Sequence, residues 1–257
     1  MSRSLIWKRN AQLVVALLST ALVKFYYSTA SVNELRWILG PTTAMVEVIS
    51  GTQFDFESHS GYMSQDHTFL IAASCAGVNF LITAFLLLSL RRLWRDRTKQ
   101  IKWSFLAAMA LIAYAATIVA NTARISIALQ LRKTPVNLGM SPDQLHRFEG
   151  IFVYFGFLLV LFLISERLSQ ARMDVIDEAP GVITDSYGLG VLLQCLFPLL
   201  IYYAITLGVP LANGAYRQES SFWEHSAFVL VTPLLLIVPL VAIRTYRAPR
   251  KAKNGSN

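Results

Sequence analysis

Apolar runs near ~20 residues recur along this chain, each long enough to cross a hydrocarbon layer roughly 30 Å thick. A bilayer interior offers no water to a backbone, so only helices and closed barrels span it. A barrel would need short strands of alternating polarity, and these are absent. Charged residues make up only 15 % of the 257 positions, against ~25 % in an average soluble domain. The expected fold is all-α: a polytopic integral membrane helical bundle of about six spans. It reads as a single transmembrane domain over residues 1–243, followed by a basic, disordered tail over 244–257.

The first run covers Leu13 to Tyr27 and reads as a retained helix anchored by Lys24, Phe25, Tyr26 and Tyr27. Residues 28–50 break at Gly40-Pro41 and read as an interfacial or re-entrant piece; residues 51–67 read as a polar loop. Further spans are expected from Thr68 to Leu90, Trp103 to Leu129, Pro142 to Leu168, Tyr187 to Val209 and Ser226 to Ile243. Ser141-Pro142-Asp143-Gln144 carries a helix-start signature: Ser as N-cap, Pro at the first helical position, Gln at the third. No internal repeat stands out.

The net charge of +8 would suggest nucleic acid on a soluble protein, but here the basic residues cluster beside apolar runs. They therefore report topology. With the N-terminus in the cytoplasm, sixteen of the twenty-three Lys and Arg fall on inner segments, which places both termini inside.

This topology brings separated polar residues to one depth. Cys75 falls in the outer part of the second span, Asn121 and Arg124 near the outer end of the third, and His146 at the outer start of the fourth. Arg124 is costly within a span and defaults to a functional hypothesis, with snorkelling to the headgroups as the alternative. Asn121 lies three residues before it, on the same helical face. Cys75 admits three readings: nucleophile, inert packing residue or redox-labile thiol. Its neighbours Ser74, Ala76 and Gly77 are small, and Asn79 lies four residues on. Glu149, three residues after His146, would orient the imidazole, and Gly150 would leave room beside it; Arg147 and Glu149 equally read as solvated charges. Cys195 reads as packing. His59 and His67, with Asp55, Glu57 and Asp66, match no metal-site spacing and read as a solvated loop. Glu224 and His225 read as interfacial. No metal, cofactor or nucleic-acid partner is expected.

The ordered set Ser74-Cys75-Ala76-Gly77, Asn121-Thr122-Ala123-Arg124 and His146 with Gly150 resembles the exosortase/archaeosortase family. Residues 74–81, Ser-Cys-Ala-Gly-Val-Asn-Phe-Leu, look most like its exosortase K branch, and the core resemblance spans residues 65–165. Ala76 stands where many relatives have Ser. The resemblance implies a membrane-embedded cysteine protease or transpeptidase of the bacterial inner (plasma) membrane. Its substrates would be exported proteins ending in a PEP-CTERM-like sorting signal: a short motif, a transmembrane helix and a basic cluster. By the same resemblance Cys75 is the nucleophile, Arg124 the transition-state stabiliser and His146 the acid/base. Asn121, Asn79 and Glu149 are the expected supporting residues. A rival reading is a small-solute transporter or channel, with Arg124 binding an anion and Cys75 only packing.

Overall fold

The computed structural model describes residues 3–96, 100–134, 139–174, 187–217 and 222–254. Among them, six helical stretches are long and apolar enough to cross a membrane. The chain is thus an all-α, multi-pass membrane protein, as expected, with one small sheet added. The expected features at Arg97–Lys99, Pro135 and residues 175–186 lie outside the described residues. The chain divides into two compact units, Met1–Tyr154 and Phe155–Asn257.

The first unit opens with α1 (Arg3–Thr29). Ser31 then closes a turn: its N–H and Oγ both donate to the Glu34 carboxylate at 2.7 Å. These two bonds hold the Glu34 carboxyl below its usual range. Helix α2 (Arg36–Ser50) has 15 residues. At 1.5 Å per residue it is about 22 Å long, too short to span, but it runs unbroken through Gly40 and Pro41, where a break was expected. Its buried face, Ile38, Leu39, Thr42, Thr43 and Val46, packs on α4 (Ser104–Lys133).

Residues 51–67 are not the plain loop expected. They form most of a three-stranded antiparallel sheet: β1 (Phe54–Glu57), β2 (Gly61–Ser64) and β3 (Leu70–Ile71), in the order β1-β2-β3. Period-two alternation was hidden by the charges: Phe54 is buried beside exposed Asp55. Arg36 covers the Phe56 ring at 4.4 Å, and the Phe54 N–H donates to Glu47 at 2.8 Å, tying the sheet to α2. The turn between β2 and β3 is built on Asp66, which accepts from Ser64 Oγ at 2.6 Å and Thr68 Oγ1 at 2.9 Å. Those bonds keep its carboxyl below the ordinary value.

The chain then makes a 3₁₀ turn at Ala73–Ala76 and enters α3 (Val78–Arg95). The expected continuous helix from Thr68 is broken by Gly77, whose φ of +69° is left-handed. Helix α3 packs against α1 and α4. Helix α5 (Pro142–Asp174) begins as expected. Gln144 N–H donates to Ser141 Oγ at 3.2 Å, and Ser141 N–H to Gln144 Oε1 at 3.1 Å, so orphan donors at the helix start are satisfied reciprocally.

In the second unit, α6 (Tyr187–Tyr203) continues through a π-helical turn, Ala204–Gly208, into α7 (Val209–Ala212). It packs on α8 (Phe222–Asn254). Cys195 is 1 % exposed, in keeping with packing. The tail expected to be disordered is helical as far as Asn254.

Gly77 gives a direct test. An added Cβ would lie 3.3 Å from Asn121, Thr117 and Tyr154, whereas at Gly51, also left-handed, it would meet nothing within 4 Å. A left-handed residue bearing a Cβ costs roughly 1–2 kcal/mol. Gly51→Ala is expected to lose that alone, and Gly77→Ala clearly more, as read by thermal unfolding in detergent.

Candidate active site

Cys75 owes its setting to Gly77. Because the backbone reverses there, the thiol sits on a 3₁₀ turn just ahead of α3, with the Cys75 N–H donating to the Ala72 carbonyl at 2.9 Å. Cys75 is half-buried and lines a cavity of about 570 Å³ together with His146 and Glu149. The break also puts Cys75 and Asn79 on different local structures. The four-residue spacing would put the two on one face only if the helix were continuous. Asn79 is instead exposed and accepts from Lys24 Nζ at 2.7 Å, so its expected supporting role is corrected to a tie between α1 and α3.

Arg124 projects from α4 toward α5. Its Nη1 donates to Tyr154 Oη at 3.4 Å and its Nη2 to His146 Nε2 at 3.1 Å. The guanidinium carbon lies 5.4 Å from the Tyr154 ring centroid, within cation–π range. This is an inward arrangement rather than a snorkelling one. Gly150 makes it possible, since a Cβ there would stand 3.1 Å from Arg124 Nε. The expected room beside His146 is therefore room for the guanidinium. Cys75 and Glu149 both lie within electrostatic reach of Arg124.

Asn121 is fully buried and engaged at both ends. Its Nδ2 donates to the Cys75 carbonyl at 2.6 Å, and its Oδ1 accepts from Tyr154 Oη at 2.8 Å. A continuous chain results: Arg124 to Tyr154, Tyr154 to Asn121, Asn121 to the backbone of Cys75. Asn121 thus holds the Cys75 turn in place.

An arginine is always a donor, so the contact with Arg124 makes His146 Nε2 an acceptor. The imidazole is then neutral, with its proton on Nδ1, which lies 3.8 Å from Glu149 Oε2. Glu149 is 5 % exposed, and neither carboxylate oxygen has a hydrogen-bond partner. It is an enclosed carboxyl lining the cavity, not the solvated rim charge that was the alternative reading.

Cys75, Asn121, Arg124, His146 and Glu149 thus come together, while the Asn79 side chain is engaged by Lys24. His59 and His67 belong to the hairpin and its turn. Tyr154 is the residue that sequence reasoning missed. The signal was present: His146, Gly150 and Tyr154 recur every four residues, which stacks them on one helical face.

Removing the Tyr154 hydroxyl would leave buried Asn121 Oδ1 without its donor and Arg124 Nη1 without its acceptor. Tyr154→Phe is expected to lower stability by about 1–3 kcal/mol, measured by thermal unfolding in detergent. Tyr26→Phe, which removes an exposed bond to the Glu34 carbonyl, should stay within about 0.5 kcal/mol.

Compared with known proteins, the chain matches no family model, no curated protein and no solved structure, so the functional reading rests on this geometry and on the residues that build it.

Proposed function

We propose that the chain is a membrane-embedded cysteine transpeptidase or protease of the exosortase/archaeosortase type. It would act on the C-terminal sorting signals of exported proteins, with its cavity opening on the outer face of the bacterial plasma membrane. One observation carries the reading: a thiol and an imidazole line one cavity, and a guanidinium hydrogen-bonds that same imidazole.

The chemistry follows from the contacts. Arg124 first releases His146 Nε2, whose freed lone pair takes the Cys75 proton, and the sulfur attacks the carbonyl carbon of the scissile peptide. The carbonyl oxygen becomes an oxyanion. Arg124 turns its N–H groups to that charge, a better acceptor than neutral imidazole. The partner exchange explains why one guanidinium touches the base in the free protein and still serves the oxyanion. Protonated His146 then gives its proton to the leaving nitrogen, the C–N bond breaks, and a thioester on Cys75 remains. An incoming amine or water loses a proton to His146, attacks the thioester and restores the thiol. Glu149 faces Nδ1 and favours the imidazolium that forms in each half. Asn121 and Tyr154 are positioning residues, since both are engaged in holding the turn and the guanidinium.

Two variants test this. Cys75→Ala should stay folded and inserted, while a precursor carrying motif, apolar helix and basic cluster accumulates, as seen by immunoblot; normal processing would end the reading. An anion carrier would keep its activity in that variant. Gly150→Ala separates stability from turnover. Alanine favours a helix over glycine by up to about 1 kcal/mol, yet its Cβ would displace Arg124. The melting temperature is expected to hold while processing drops at least about tenfold, in the range of losing one oxyanion donor.

A further inference from the structure

The sheet has an open side. In an antiparallel ladder, residues alternate between pairs that exchange hydrogen bonds and pairs that do not. Tyr62 pairs with Ile71 and Met63 with Leu70, and Ser64 N–H donates to the Phe69 carbonyl at 2.9 Å. Phe69 and Ile71 therefore face β2, and the N–H and C=O of Leu70 point away from it. Neither group has a hydrogen-bond partner among the described residues, and Leu70 is 37 % exposed. Soluble proteins blunt such edges with charge, proline or bulges. The stretch Thr68-Phe69-Leu70-Ile71 carries none of these.

This edge borders the reactive cavity. Thr68, Phe69 and Leu70 line it together with Leu131 and Leu145, and Cys75 lies only five residues beyond Leu70. We propose that the outer edge of β3 is the substrate's docking rail. An extended polypeptide segment pairs its backbone with the N–H and C=O of Leu70 as a fourth strand, which leads the scissile bond to Cys75. The inference deepens the transpeptidase reading and rests on it. Only an extended peptide fits the edge, which offers one donor and one acceptor side by side. A helix has spent its own backbone groups internally, and an acyl chain has none. Recognition through the backbone also suits a segment of variable side chains, leaving sequence preference to the cavity walls.

The test uses acetyl-tetra-alanine chloromethyl ketone, whose carbon forms a bond to the Cys75 sulfur as chloride leaves. Alanine keeps side-chain recognition minimal. Each amide in turn is replaced by an ester, which removes one N–H with little change in shape. Alkylation of Cys75 in the full-length wild-type protein in detergent is followed by mass spectrometry, with iodoacetamide as the backbone-free control. One ester position is expected to slow alkylation about three- to tenfold, while the other positions and iodoacetamide stay unchanged. Leu70→Pro removes the matching donor on the protein; because that N–H points away from β2, an edge proline there is tolerated. It should slow the parent peptide reagent by a similar factor and leave iodoacetamide unaffected. Equal rates across the ester series, or no reaction of the peptide reagent where iodoacetamide reacts, would overturn the docking rail. A flat series combined with loss of processing in Cys75→Ala would remove the rail alone. Normal processing in Cys75→Ala would remove the enzyme reading itself.

Discussion

A guanidinium carried on a membrane-spanning helix must find partners within the protein, and much of the first unit is arranged to supply them to Arg124. Tyr154 offers an oxygen and a ring face, His146 a nitrogen lone pair. The Glu149 carboxyl lies within electrostatic reach, and Gly150 supplies space. Removing any of these leaves a charge in surroundings that solvate it poorly. One guanidinium nitrogen, Nε, is buried without a partner. The group therefore has donor capacity in reserve, as expected of a residue that stabilises charge appearing only during a reaction.

The second constraint is the turn at Cys75. A thiol inside a regular helix would share its surroundings with helix neighbours. The left-handed Gly77 instead ends one local structure and begins another, and it lifts the thiol to the mouth of α3. Small size matters there as much as conformation, since Asn121, Thr117 and Tyr154 all crowd the missing Cβ. The same buried asparagine that contacts Gly77 holds the Cys75 carbonyl. The positions of Cys75 and Arg124 are thereby coupled through two side chains, Asn121 and Tyr154.

Much of this was legible in the sequence, because the controlling physics is local or one-dimensional. Apolar run length gave the spans. The Ser141 and Gln144 pair gave the start of α5. Lys and Arg asymmetry pointed to one depth for Cys75, Arg124 and His146, and His146 does line the Cys75 cavity and contact Arg124. The failures share a cause: each depended on contacts distant along the chain. The hairpin was masked by charges on short strands whose pairing is non-local. The Gly77 break looked like a tolerated helical glycine, because nothing nearby revealed what crowds it. Asn79 was assigned by a helical spacing that the break cancels. Tyr154 resembled one more aromatic in an apolar helix, although its spacing from His146 and Gly150 marked the face it occupies.

The central claim is that the Cys75 sulfur becomes covalently acylated. The direct measurement is to quench the protein with acid during processing of a co-expressed precursor and map adducts on the Cys75 peptide by mass spectrometry. The account requires a hydroxylamine-labile adduct on Cys75 whose mass equals the substrate up to its cleavage site. Ongoing cleavage with Cys75 unmodified at every time point would contradict it.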